Sequence, residues 1–227
     1  MDRDDFVAGA RDTVPVLAGI VPFALVAGVA AVDQGLTVGQ AMGLSLVVFA
    51  GASQLAIVDL LGRSAPLAVV VVTAGVINLR MMMYSASIAP YFQRYRRRSQ
   101  AVLAYLLTDQ AYAFSIARFT GADGEGVDRR AYYLGAALTL WLPWQLGTVT
   151  GAVLGSSVPA SWHLEFAVPL VFLALLVEAL EDRDHIVAAG VGGTVAVVGA
   201  GLPLNLGLVV GAVAGVVAGA ASEEVRP

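Results

Sequence analysis

"NLRMMMY", residues 78–84, lies between "PLAVVVVTAGVI" and "SASIAP", inside an apolar run from Pro66 to Pro90. A run of about 25 such residues is long enough to cross a bilayer as a helix. Arg80 stands near its middle, about fifteen residues in and too deep to snorkel easily. A central Arg costs about 2.5–3.5 kcal/mol on insertion scales, so it must face a cavity, a partner or a ligand. Counted in helical steps, Thr73, Arg80, Tyr84 and Ser87 share one face. Asn78 points roughly opposite and is placed to bond a neighbouring helix. Two readings of Arg80 stay open. It locks helices together through a buried acid, or its guanidinium fork binds a carboxylate bidentately.

The whole chain has the same character. Of 227 residues 58% are hydrophobic and 13% charged, with a mean hydropathy of +0.79. A soluble domain carries about twice that share of charge. The charges gather at 2–12, 59–63, 94–98, 118–130, 165, 178–184 and the last few residues. Eight apolar segments lie between them, at about 13–32, 38–61, 66–90, 101–119, 131–156, 164–181, 185–201 and 203–221. The composition therefore predicts an all-α, polytopic helical membrane protein of seven or eight transmembrane segments, some broken or re-entrant, forming one integral membrane domain over 1–227. "MDRDDFVAGARD" is acidic where a cleaved signal needs a basic start, so none is expected. There is no Cys, hence no disulfide framework and no thiolate metal site. All 13 basic residues are Arg and the net charge is −4. This fits a GC-rich, salt-adapted microbe or codon bias alone.

Several segments carry interruptions. Pro15 and Pro22 are expected to break the first, Pro143 the fifth and Pro169 the sixth, and Gly51 lies within the second. At membrane depth such breaks survive where protein or a water-filled cavity satisfies the freed backbone groups, and in transporters they mark binding sites. Simple alternation puts Arg94, Arg96, Arg97 and Arg98 on the face opposite most other arginines, against the positive-inside rule. One re-entrant segment among the first three relieves the conflict and leaves seven spans. Glycines recur every four residues at 147, 151 and 155 and at 207, 211, 215 and 219. They mark close helix packing, either within the chain or, on the terminal helix, against a partner subunit.

Other polar residues join Arg80 as candidates. Asp109, in "LLTDQAYAF", sits mid-segment with Thr108 and Gln110 beside it, a proton carrier or a counter-charge for Arg80 or an amine. Asp59 lies near a segment end, within reach of the interface. In "FAGASQ", residues 49–54, Gly51 among small residues lets the helix unwind and free backbone groups for a small polar ligand. Ser53 and Gln54 add a hydroxyl and an amide. "WLPWQLGTVTG", residues 141–151, is a faint echo, with Pro143 as a break followed by Gln145 and Thr148, and hints at an internal repeat.

Phe49–Gln54, Asn78-Leu79-Arg80, Tyr84-Ser85, Ala89-Pro90 and Thr108-Asp109 together resemble the signature of the AzlC family, in order and spacing over about residues 10 to 180. The resemblance implies the large subunit of a two-component exporter of branched-chain amino acids, working with a much smaller membrane protein, AzlD. Two positions depart from the pattern. Met81 stands where the family commonly has His, and Gln110 where it commonly has Glu, so coupling to protons would rest on Asp109 or use another ion. On this reading Gly51, Ser53, Gln54, Asn78, Arg80, Tyr84 and Thr108 are the substrate-binding candidates, and Asp109 the ion- or proton-coupling residue. The expected partners are the small subunit, an amino-acid substrate and the bilayer of a prokaryotic cell membrane, with no nucleic acid and no cofactor. A channel or scaffold subunit is the alternative. An intramembrane hydrolase around Ser53 is disfavoured because the two histidines, His163 and His185, lie at segment edges; for the same reason, and without Cys, no metal site is expected.

Overall fold

The computed structural model describes residues 2–121, 126–156, 180, 182–201 and 206–224, and among these every regular element is a helix. The chain divides into two compact units, Met1–Val168 and Pro169–Pro227. The first holds α1 (Arg3–Thr13), α2 (Leu17–Asp33), α3 (Val38–Val48), α4 (Gly51–Gly62), α5 (Leu67–Ile77), α6 (Leu79–Phe92), α7 (Arg97–Tyr105), α8 (Asp109–Thr120) and α9 (Arg129–Gly155). The second holds α10 (Arg183–Val198) and α11 (Leu206–Glu224). Among the described residues, three stretches are long and apolar enough to cross a membrane: Arg3–Asp33, Leu67–Phe92 and Arg183–Gly201. The expected segment 164–181, with Pro169 and its neighbour His163, falls outside the described residues apart from Leu180.

The starts are written locally. Asp2 caps α1, a Thr37–Gln40 capping box starts α3, Pro66 precedes α5 and Asp128 caps α9. The prolines do less than expected. Pro15 sits in a 3₁₀ turn, Val14–Val16, but Pro22 and Pro143 lie inside continuous helices. The echo proposed at Pro143 therefore has no break behind it. Each of these two prolines deletes one backbone bond within its helix, and close packing of α2 on α9 carries both helices through.

That packing is the spine of the first unit. α1–α2 and α9 run side by side in the same direction, through Gly9 at Tyr132, Gly28 at Thr148, Gly151 at Leu25 and Gly155 at Val29 and Val32. Their starts are tied together. The Asp2 N–H donates to Asp128 Oδ2 at 3.0 Å, and the Asp128 N–H donates to Asp5 Oδ2 at 2.8 Å. Burial pushes the Asp128 carboxyl up, but the backbone N–H groups of Asp2, Ala131 and Arg130 outweigh it and hold the carboxyl below the ordinary range. The glycines of α9 thus serve internal packing, and those of α11 do too. Gly207, Gly211, Gly215 and Gly219 lie against Gly199, Gly192, Ala196 and Ala188 of the α10 arm, so the face considered for a partner on the terminal helix is already covered.

The remaining helices of this unit do not simply alternate. α3–α4 turns back: α3 leaves from the end of α2, and α4 returns there, with Gly62 against Gln34. α5–α6 runs the full length, from the Gly62 end to Phe92, whose ring meets Tyr133 near the start of α9 at 5.1 Å. α7–α8 turns back as well, and both of its arms return to Phe92. Gln100 Nε2 donates to the Phe92 carbonyl at 3.1 Å, and the Phe119 ring lies 6.2 Å from the Phe92 ring. Two segments of the unit double back, one from each end, where the sequence predicted one re-entrant segment among the first three.

Candidate functional site

Three helix breaks meet midway along α9. At the first, between α3 and α4, Phe49 is buried with φ +35°, a left-handed conformation, and Ala50 is extended. A non-glycine residue held there costs on the order of 1–3 kcal/mol, a strain that collects at functional sites. Gly51 opens α4, and a Cβ on it would meet the Trp144 ring at 2.7 Å and the Phe23 ring at 2.8 Å. Close packing is why this position needs glycine. The second break is Asn78, the last cap of α5 and the first of α6. The third is Leu106–Thr108, where Thr108 caps α8 by accepting from the Ala111 N–H at 3.2 Å.

Around these breaks lies an open cavity of about 620 Å³, lined among others by Phe49, Ala50, Asn78, Met81, Ser85 and Leu107, with Met82 on its rim 68% exposed. Its walls are apolar, with polar groups at the helix ends. The N-termini of α4 and α6 begin at Ala50 and Asn78 with no side-chain cap. Uncapped N–H groups with the positive end of the helix dipole favour an anion. The Asn78 Nδ2 donates to Ser53 Oγ at 3.1 Å, while its Oδ1 is buried without a hydrogen-bond partner among the described residues. Asn78 bonds a neighbouring helix, as its place on the helix face predicted.

Arg80 occupies the opposite face of α6. Its Nη1 lies 3.0 Å from Asp109 Oδ2, with the two side chains 39% and 34% exposed. Of the two readings left open for Arg80, its acid partner is thus present, and Asp109 is that acid. The pair is singly bonded. Arg80 Nε and Asp109 Oδ1 are buried without hydrogen-bond partners among the described residues, so the remaining edge of the fork is not engaged by them. Tyr84 lies beside the same carboxylate and stacks on Tyr112 at 4.5 Å, and Tyr112 OH donates to Ser87 Oγ at 2.9 Å. The polar face Arg80–Tyr84–Ser87 is real; Thr73 belongs to α5, beyond the break, and the helical count does not carry to it.

The candidates therefore fall into two clusters. Ser53 and Asn78 belong with the cavity, Arg80, Tyr84 and Asp109 with the opposite face, and Thr108 links them as the cap of α8. Gln54 is buried behind the cavity at 3% exposure. Asp59 pairs at 3.0 Å with Arg63 on an exposed surface, consistent with an interfacial place. The sequence reading missed Ser45 and Tyr105. Ser45 Oγ donates to Gln145 Oε1 at 2.9 Å and accepts from Trp144 Nε1 at 3.1 Å, which fixes the α3 tip on α9. Tyr105 OH donates to the Leu46 carbonyl at 2.8 Å and joins the tips of the two hairpins. The available signal was a buried polar residue in an aliphatic run, one residue type among many serines and tyrosines.

The profile of the family described as AzlC protein matches residues 15–158. The inner membrane protein YgaZ of Escherichia coli (strain K12) is 26% identical over 209 residues, covering 88% of this chain and 84% of that protein. An uncharacterized membrane protein of Archaeoglobus fulgidus is 32% identical over 186 residues, covering 80% of this chain and 78% of its own. One from Helicobacter pylori (strain 26695) is 28% identical over 187 residues, covering 82% and 80%. No solved structure matches. The matched span takes in all three breaks and both residue clusters, and the chain belongs to the AzlC family of membrane proteins.

Proposed function

We propose that this chain is the large subunit of a secondary transporter that exports branched-chain or similar apolar amino acids across the plasma membrane. It acts as a multi-pass carrier together with a small AzlD-like membrane subunit. The observation that carries this reading is the meeting of three helix breaks around one mid-depth cavity, the arrangement in which carriers place a substrate. An amino acid offers three groups to such a site. Its carboxylate suits the uncapped starts of α4 and α6, its ammonium suits the unpartnered Asn78 Oδ1, and an apolar side chain suits the wall at Met81 and Leu107.

Coupling to an ion gradient falls to Asp109. A substrate bound at the start of α6 that shifts this helix and parts Arg80 from Asp109 across it leaves that carboxylate without its counter-charge and open to a proton, which links occupancy to protonation. The test is efflux of preloaded leucine, isoleucine and valine from a deletion strain carrying this gene with or without that of the small subunit. The reading expects efflux only with both genes. Efflux equal to the empty strain in every combination would overturn it.

A further inference from the structure

We propose that Asn78 and Arg80, two positions apart at the break between α5 and α6, are latches that hold the tips of two hairpins entering the bilayer from opposite faces. Asn78 holds the tip of α3–α4 through Ser53, and Arg80 holds the tip of α7–α8 through Asp109. This deepens the carrier reading and rests on it for the purpose of the gates, but not for the geometry.

The geometry starts from α9, whose 27 residues give a rod about 40 Å long. α3–α4 leaves and rejoins the end of the unit where α2 and α9 finish, at Gln34 and Gly62. α7–α8 leaves and rejoins the other end, at Phe92. Both turn at mid-depth: Gly51 lies against Trp144, and Trp141 Nε1 donates to Tyr105 OH at 3.2 Å. Backbone broken at that depth is stable where it lines a cavity, and both tips do.

Charge agrees with this arrangement. The end marked by Phe92 and the start of α9 carries Arg94, Arg96, Arg97, Arg98, Arg129 and Arg130. Among the described residues of this unit the other end carries only Arg63. Arg129 stacks on Tyr91 at 4.8 Å and Arg130 on Tyr95 at 5.6 Å, so the cluster that broke simple alternation joins the basic start of α9. The positive-inside rule then puts this whole end in the cytoplasm. The latches are one hydrogen bond and one partly exposed ion pair, on opposite sides of α6, and they act beside the Ser45 bonds to α9 and the Tyr105–Leu46 bond between the tips. Contacts of that size are ones a bound ligand can shift. Parting Asp109 from Arg80 frees the α7–α8 tip, which lines the cavity at Ala104, Tyr105 and Leu107, and widens access from the arginine-bearing face; parting Ser53 from Asn78 frees the α3–α4 tip, which lines it at Val48, Phe49 and Ala50, and widens access from the other.

The chain has no cysteine, so Ser85→Cys places a lone thiol in the cavity wall. The experiment measures its labelling by a membrane-impermeant methanethiosulfonate in right-side-out and inside-out vesicles. Asp109→Asn should speed labelling about fivefold, the shift expected from losing one such contact, from the arginine-bearing face alone. Ser53→Ala should do so from the opposite face alone. Equal acceleration from both faces, or from neither, would overturn the latches. Asp33→Cys and Ser64→Cys flank α3–α4, and Gln93→Cys and Thr120→Cys flank α7–α8, all on exposed positions away from both latches. Labelling of each pair from one face, opposite for the two pairs, supports the topology, and labelling of either pair from both faces refutes it. None of these readouts needs flux, so failure of the latches is distinguishable from failure of the transport reading.

Discussion

Gly151→Ala tests the scaffold that holds the site. A Cβ at this position would lie 2.8 Å from the Leu25 carbonyl carbon and 2.9 Å from its Cα. Both are backbone atoms, so no side chain can swing aside and the helices must separate by roughly 1 Å, a gap that forfeits a quarter to a half of each contact's attraction. Overpacking of this kind costs about 1–3 kcal/mol. For a chain of this size that lowers the melting temperature by about 2–12 °C. Trp144 reports the event directly, since its ring meets Phe23 of α2 edge-on at 5.3 Å. The assay is thermal unfolding in detergent, monitored by tryptophan fluorescence. Gly43→Ala is the control, because a Cβ there meets nothing within 4 Å. Melting of Gly151→Ala within about 1 °C of wild type would refute the seam, as would an equal loss in Gly43→Ala.

Three further outcomes rest on the same geometry. Asn78→Leu removes the acceptor proposed for the ammonium, worth about 1.5–3 kcal/mol as a charge-assisted bond, and should raise the apparent KM for export about 10- to 100-fold; an unchanged KM would remove Asn78 from the site. Asp109→Asn should leave exchange between equal substrate pools but abolish flux driven by an imposed pH step, and persistence of pH-driven accumulation would make Asp109 structural. Asp128→Ala should cost about 0.5–2 kcal/mol through loss of the α9 cap. The Asp128 carboxyl is held below its ordinary range, so its contribution is full above about pH 4 and is lost as pH falls through the folded-state value. Wild type should therefore lose more melting temperature than Asp128→Ala on going to pH 3, and an equal loss in both would contradict the assignment.

Composition was enough for the helices, because an apolar run bounded by charge has few other solutions. One break was legible, at "FAGASQ", where Gly51 among small residues interrupts an aliphatic run, whereas the breaks at Asn78 and Thr108 fall inside segments that the sequence reads as continuous. The direction the chain takes beyond each break was not legible. After Asn78 the chain continues forward, whereas after Phe49–Ala50 and Leu106–Thr108 it turns back, and local spacing is alike in all three. The direction is set by distant contacts, such as Phe92 with Gln100 and Phe119. Pro22 and Pro143 misled for the same reason: a deleted backbone bond weakens a helix, but packing through Gly28 and Gly151 lets each helix continue past its proline. The Arg80–Asp109 pair was one of the two readings open for Arg80, because two opposite charges deep in apolar segments have few other partners. Its separation from the cavity across α6 needed the structure.

Entrance counterflow tests the central claim most directly. Proteoliposomes holding this chain and its small partner are loaded with unlabelled leucine and diluted into a trace of labelled leucine. A carrier predicts transient accumulation of label above equilibrium, saturating with internal leucine and absent from empty liposomes. Label that only equilibrates, in proportion to concentration and without overshoot, would contradict the account.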